Sequence, residues 1–207
     1  MTKSLVVNCS LKPSKNDELL KAVKKFSECT TVQFRDIHAS YEIDKDIDAV
    51  VISGSAARIV SPSHRDMFKG TVSLIRRLNL PIFSICYGHQ LFCWSLGARV
   101  ASLDEPVMNT FERVRIVEVD EIFAGFEKHQ TIPLAQSHYD YVLRESLDEA
   151  GLVLIADSQS CEVEAIKHKH NPLYGVQFHP ERINIKDQTC PEGHKVIENF
   201  YRNVVKR

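Results

Sequence analysis

The sequence predicts an α/β fold: a doubly wound, mostly parallel sheet flanked by helices, with an antiparallel region in its second half. Three observations carry this expectation. Ala49–Ile52 is a short continuous apolar run, as in parallel strands buried on both faces, and residues 81–85 read as another buried strand. Segments with apolar residues at helical spacing separate such runs, and strands alternating with helices imply parallel pairing through right-handed crossovers. Beyond residue 112 apolar and charged residues alternate, the mark of a half-exposed strand.

Taken in order, Leu5-Val6-Val7 reads as the first strand. Leu19, Leu20, Val23 and Phe26 share one face of a helix expected over residues 17–28, with lysines on the other face. Thr31-Val32-Gln33-Phe34 is a second strand and Ala49–Ile52 a third. A helix over 64–78 precedes the strand at 81–85, and another follows Cys86 as far as Gly97, a residue suited to ending a helix. Later strands are expected at 113–119, 152–156, 162–167 and 173–178, with a closing helix over 192–205. No internal repeat, low-complexity tract or Gly/Ser linker divides the chain, which predicts one domain over residues 1–207.

Composition removes several functional classes. The 26 Lys and Arg nearly balance the 27 Asp and Glu, so the net formal charge of -1 makes no electrostatic case for nucleic acid or an anionic membrane surface. No run approaches the roughly twenty apolar residues of a membrane span. The apolar run after Lys3-Ser4 is too brief for a signal peptide, so a cytoplasmic location is expected. The 6 cysteines are irregularly spaced and several sit in apolar runs, which suits reduced, mostly buried thiols. No pair has C-x-x-C spacing, and no metal site is expected. His168 and His170 in a polar loop, and His194 near Cys190 and Glu192, are weak metal-binding patterns at most.

Cys86 stands where a buried strand hands over to a helix. A sharp turn there lifts the side chain clear of the sheet and needs small neighbours, here Ser84 and Gly88. Free N–H groups at the helix start favour a thiolate, the attacking form in covalent catalysis. A buried, inert thiol is the competing reading, since free cysteines are often fully buried. Cys93, two turns further on, reads as core. His179 follows the strand that ends in Gln177-Phe178, and functional groups gather beyond the carboxyl ends of such strands. A histidine beside a thiol can hold it as thiolate and later protonate a leaving amine. Glu181 can accept the other imidazole N–H and fix its orientation, with Pro180 stiffening the turn. A structural loop histidine is the alternative.

Cys86-Tyr87-Gly88-His89-Gln90, followed far downstream by Gly175-Val176-Gln177-Phe178-His179-Pro180-Glu181, resembles the class I (triad) glutamine amidotransferases, from about Val50 to the end of the chain. The resemblance implies their flavodoxin-like fold, with Cys86 as nucleophile, His179 as base and acid, and Glu181 as orienting carboxylate. It implies that Ser53-Gly54-Ser55-Ala56 is the oxyanion loop, with the backbone N–H groups of Ser55 and Tyr87 as donors. Gly54 and Gln90 would line the glutamine site, and His89 would lie behind it. The second half, with Gln136-Ser137-His138-Tyr139-Asp140-Tyr141-Val142 and Glu164-Ala165-Ile166-Lys167-His168, is most similar to the glutaminase part of GMP synthases, especially the two-chain form. His138 and Asp140 are carried over as candidate partner-facing or structural residues.

The sequence departs from that pattern at Asn8-Cys9-Ser10, at Ser55 and Ala56 in place of Gly and Pro, at Ser84 in place of Gly, and at Arg182-Ile183-Asn184-Ile185 after the carboxylate. It carries neither a P-loop nor a Ser-Gly-Gly-x-Asp-Ser pyrophosphate loop, so the expected partner is a separate, ammonia-accepting synthetase. The half-reaction needs no cofactor. Two other readings stay open: a stand-alone γ-glutamyl hydrolase or peptidase, which Gly54-Ser55 suits, and a non-enzymatic protein on the same scaffold, which loss of the triad would signal.

Overall fold

The computed structural model describes residues 2–12 and 17–206. The elements are β1 (Lys3–Asn8), α1 (Asp17–Val23), β2 (Glu28–Gln33), β3 (Ala49–Ile52), α2 (Pro62–Met67), α3 (Lys69–Arg77), β4 (Ile82–Ile85), α4 (Tyr87–Ser95), β5 (Val100–Ile116), β6 (Thr131–Val142), β7 (Leu152–Asp157), β8 (Ala165–His168), β9 (Leu173–Val176), β10 (Asn184–Ile185), β11 (Gln188–Thr189) and α5 (Glu192–Asn199). Strands β1 to β9 form one sheet in the order β2-β1-β3-β4-β9-β8-β7-β5-β6; β10 and β11 pair separately. The contacts from β2 to β9 are parallel, and those from β9 through β8, β7 and β5 to β6 are antiparallel.

Strand periodicity explains why the parallel runs carry no polar alternation. Leu5, Val7, Val50, Ile52 and Ile82 pack with Leu74 and Ile75 of α3 and Leu91 and Phe92 of α4. Their alternates Val6, Val51, Phe83 and Ile85 pack with Leu19 and Val23 of α1 and Val196 and Ile197 of α5. Successive side chains point to opposite faces, and with helices on both faces most of them are apolar, the buried Ser4 and Ser84 being hydrogen-bonded exceptions. Complete burial of one of the apolar side chains contributes about 1.5–3 kcal/mol. The doubly wound sheet, parallel in its first half and antiparallel in its second, is therefore as the sequence predicts.

Several boundaries differ. The helix expected over 17–28 ends at Val23, and Glu28 already opens β2; Phe26, counted to its apolar face, stacks on Tyr201 from the turn that follows, with ring centroids 5.9 Å apart. The helix expected over 64–78 is two helices that meet at Phe68 (φ −103°, ψ 14°). Phe68 is fully buried and stacks on Phe34 at 4.0 Å, so packing rather than helical spacing decides its conformation. The closing helix changes from α to π winding over Phe200–Val205.

The antiparallel half differs most. The strand expected at 113–119 is the end of a 17-residue strand beginning at Val100, and its 12-residue partner β6 has no counterpart among the expected strands. In β6 the inward positions include Gln136, His138 and Asp140, all buried, which erases the apolar alternation. Register breaks between Ser102 and Val107, and between Met108 and Thr110, further mask β5. Asn109, inside the second break, has a positive φ of 50°, as at a β-bulge.

Candidate active site

Strand register brings the two predicted site segments together. Ser84 lies opposite Gly175 and Ile85 opposite Val176, so the chain leaves β4 and β9 side by side at their carboxyl ends. The Cys86 N–H continues the ladder by donating to the Val176 carbonyl at 2.8 Å. Cys86 then turns sharply with φ 51° and ψ −111°, and its carbonyl accepts from the Gln90 N–H at 3.0 Å. A non-glycine residue in this region is strained by on the order of 1–3 kcal/mol, and the surroundings enforce it. A Cβ on Gly88 would stand 2.6 Å from the Ile52 carbonyl oxygen, so α4 can begin this close to β3 only with glycine there. Ser84, the other small neighbour, is fully buried and donates its hydroxyl to the Tyr174 carbonyl.

Cys86 is 4% exposed and its sulfur lies 3.6 Å from the Ser137 carbonyl oxygen. The His179 backbone N–H donates to the Ala135 carbonyl at 2.8 Å, tying the base to β6. Its Nδ1 is 2.7 Å from Glu181 Oε1, and a carboxylate can only accept, so the proton sits on Nδ1. The remaining nitrogen is thereby left to interact with the Cys86 side chain. Burial opposes a charge on His179, but Glu181 and Cys86 outweigh it and raise its pKa to about 10. Glu181 and Cys86 thus both favour a protonated imidazole at this position.

Gly54 closes the third side. A Cβ built there would lie 3.1 Å from His179 Cε1 and 3.4 Å from Cys86 Cβ, so the loop backbone runs directly against both. The loop is anchored at its start: Ser53 N–H donates to the Val7 carbonyl, and Ser53 Oγ accepts from Cys9 N–H at 2.9 Å. Ser55 Oγ accepts from Ala57 N–H at 3.1 Å. Among the described residues the backbone N–H groups of Ser55 and Tyr87 donate to no protein acceptor, which leaves both available to a developing oxyanion.

These groups line a cavity of about 580 Å³, together with Gln90, Ser137, His138, Tyr139, Asp140, Arg58, Met108 and Arg182. Gln90 is 3% exposed, and its amide donates to the Asp140 carbonyl at 2.6 Å and to Gln177 Oε1 at 2.9 Å. His89 lies wholly buried behind the site. Burial, then the charge of His138, lowers its pKa to about 3.

Of the two readings carried for His138 and Asp140, partner-facing or structural, their burial favours the structural one. Both side chains point inward, because alternation along β6 turns Tyr139 outward instead, at 45% exposure. His138 Nδ1 meets the Asp140 carbonyl at 3.1 Å, and burial lowers its pKa to about 4. The Asp140 carboxylate is held by Arg58 and Ser102. Nothing in the sequence singles out Arg58; its partner is 82 positions away, beyond any local spacing rule. The weak metal patterns have other bonds: His168 Nδ1 accepts from the His170 and Asn171 N–H groups, and His194 contacts Lys25 and the Glu181 carbonyl. No group of three metal-ligating side chains occurs among the described residues, and no helix among them is long and apolar enough to cross a membrane.

The family model for class I glutamine amidotransferases matches residues 11–204. One subunit of the glutamine-hydrolysing GMP synthase from Methanothermobacter thermautotrophicus is 39% identical over 130 residues, 63% of this chain and 64% of that protein. The glutamine-hydrolysing GMP synthase of Brachyspira hyodysenteriae is 31% identical over 171 residues, 82% of this chain and 30% of that protein. The chain therefore spans less than two thirds of each of these two relatives. A crystal structure of a Thermoplasma acidophilum protein, described provisionally as the corresponding GMP synthase subunit, superposes with a TM-score of 0.83 at 26% identity, covering 100% of this chain and 95% of that one.

Proposed function

This chain belongs to the class I glutamine amidotransferase family, and from that premise we propose that it hydrolyses the side-chain amide of glutamine and passes the ammonia to a separate synthetase. The observation that carries the reading is the convergence of Cys86, His179 and Glu181 against the Gly54 backbone.

In the proposed reaction the Cys86 thiolate attacks the amide carbon of glutamine. The carbonyl oxygen takes up the negative charge and is held by the N–H groups of Ser55 and Tyr87; losing one such donor typically costs roughly 3–4 kcal/mol. His179 gives its Nε2 proton to the nitrogen as the C–N bond breaks, so ammonia leaves and a γ-glutamyl thioester remains on Cys86. Water then adds to the thioester, with His179 taking its proton. Collapse releases glutamate and restores the thiolate–imidazolium pair. Glu181 keeps the Nδ1 proton in place throughout. Gln90 and the walls contributed by β6 shape the pocket for the substrate.

Relatives named as one subunit of a glutamine-hydrolysing GMP synthase support a two-chain arrangement with a GMP-forming synthetase as the acceptor. The test is glutamate release from glutamine by the purified protein, alone and with such a synthetase. Release that is stimulated by the synthetase and abolished by Cys86→Ala is expected. Faster cleavage of γ-glutamyl peptides than of glutamine would replace this reading with that of a γ-glutamyl hydrolase.

A further inference from the structure

The loop that faces Cys86 has two ends, and they are held differently. Its start is fixed by Ser53 to β1, through the Val7 carbonyl and the Cys9 amide. Its far end is Arg58, which makes the principal charged contact at the rim of the cavity. Arg58 Nε donates to both Asp140 oxygens at 2.9 and 3.0 Å, and Nη2 donates to Asp140 Oδ1 at 2.6 Å and to Ser102 Oγ at 2.9 Å. Ser102 Oγ in turn donates to Asp140 Oδ1 at 3.0 Å. The Arg58 backbone N–H is taken by His64 Nδ1 at 2.8 Å, and its guanidinium carbon lies 5.0 Å over the Tyr139 ring.

Asp140 is the hub of these contacts. Its side chain is 2% exposed while that of Arg58 is 36% exposed. Its main-chain carbonyl accepts from Gln90 of α4 at 2.6 Å and also meets His138. One residue therefore ties together the loop, the helix that starts at the nucleophile, and strands β5 and β6. The forked donors of arginine suit this, because two parallel N–H bonds define an orientation that a lysine ammonium does not. Nε and Nη2 are thus engaged by Asp140 and Ser102, and one face of the guanidinium is covered by Tyr139.

We propose that Arg58 and Asp140 are a positioning pair that anchors the far end of the 53–58 loop and thereby aims the Ser55 amide at the reacting carbonyl. The inference rests on the glutaminase reading above, since an oxyanion has to form for the aim to matter. It concerns kcat and not substrate affinity: the pair touches no reacting atom, but misaiming a transition-state donor weakens an interaction made only in the transition state.

The experiment compares the protein with Arg58→Lys, Asp140→Asn and the double variant, measuring kcat and KM for glutamine. In parallel, Cys86 is alkylated by iodoacetamide and by a glutamine-derived chloroketone, the first needing only the thiolate and the second also the loop. Expected is a fall in kcat of about tenfold to a hundredfold in each single variant, with KM within about threefold and iodoacetamide reactivity preserved. The double variant should be no slower than the worse single, as for residues that act as one unit. The chloroketone-to-iodoacetamide ratio should fall in step with kcat. Arg58→Lys keeps a cation beside Asp140, so it serves if Asp140→Asn does not fold. A rise in KM at constant kcat would make Arg58 a substrate ligand and overturn the proposal, as would unchanged kinetics or multiplicative losses. If the parent protein neither turns over glutamine nor prefers the chloroketone, the glutaminase reading fails, and the proposal falls with it. Parent activity with indifferent variants sinks the pair alone.

Discussion

Replacing Gly54 with alanine inserts a carbon 3.1 Å from His179 Cε1 and 3.4 Å from Cys86 Cβ. Ordinary carbon contacts are about 3.5–4.0 Å, so the imidazole has to retreat by a few tenths of an ångström. It has little freedom to do so, because Glu181 holds Nδ1 at 2.7 Å and Ala135 holds the backbone N–H at 2.8 Å. A misplacement of 1 Å can cost about a hundredfold in rate, and a third to a half of that distance corresponds to roughly five- to tenfold in kcat, or about 0.9–1.4 kcal/mol of barrier. Stability should change little, because the crowding is offset by the restricted unfolded chain. Gly54 is not among the glycines with positive φ, and at a compatible position Gly→Ala stabilises by about 0.4–1 kcal/mol by restricting the unfolded chain. The assay pairs steady-state glutamate release with thermal unfolding of Gly54→Ala. A slower enzyme with an unchanged or raised Tm is expected. Undiminished kcat, or a loss of activity accompanied by a lowered Tm, would refute the argument that the bare Gly54 backbone sets the distance between base and nucleophile.

Two further outcomes are expected. Burial disfavours the His179 cation and Glu181 is the largest influence restoring it, so Glu181→Gln should move the His179 titration, followed by NMR, down from about 10; an unmoved titration would remove Glu181 from that role. Glu164 is fully buried, and burial, partly offset by bonds from Gln136 and Ser158, raises its pKa from 4.5 to about 7. An acid whose folded pKa is raised binds its proton more tightly when folded, so stability is lost as pH rises from about 4.5 to 7. At 1.36 kcal/mol for each pH unit, that is on the order of 3 kcal/mol. Urea unfolding at pH 5 and pH 8 should show a loss larger in the parent than in Glu164→Gln by about this amount; equal pH dependence in both proteins would count against it.

The parallel half of the sheet was legible because Ala49–Ile52 is uniformly apolar and Ile82–Ile85 is apolar but for Ser84, a pattern favoured by helices on both faces. Cys86 and His179 were legible for a related reason: each stands where such a strand ends. The antiparallel half was obscured by its polar interior. Gln136, His138 and Asp140 turn polar groups inward, so β6 lacks the alternation that reveals a strand, and the same inward turn favours the structural over the partner-facing reading of His138 and Asp140. Arg58 was invisible because its contacts are to Asp140 and Ser102, residues far along the chain. The break at Phe68 was hidden because the apolar spacing runs straight through it, whereas its stacking on Phe34 is a tertiary fact.

Sheet order also governs the sequence of events during synthesis. Strand β9 sits between β4 and β8 although it is made long after β4. While the ribosome is still reading the intervening residues, β4 lacks the neighbour that completes its ladder, and Cys86 lacks the carbonyl of Val176 that receives its N–H. An apolar strand with an open edge invites pairing with other chains, and long-range parallel pairing is slow to form. The nascent chain therefore passes through a stage that is vulnerable to aggregation and holds a cysteine without its histidine. Arrival of Leu173–Val176 ends both conditions at once, since the strand that fills the gap in the sheet is the one that delivers His179.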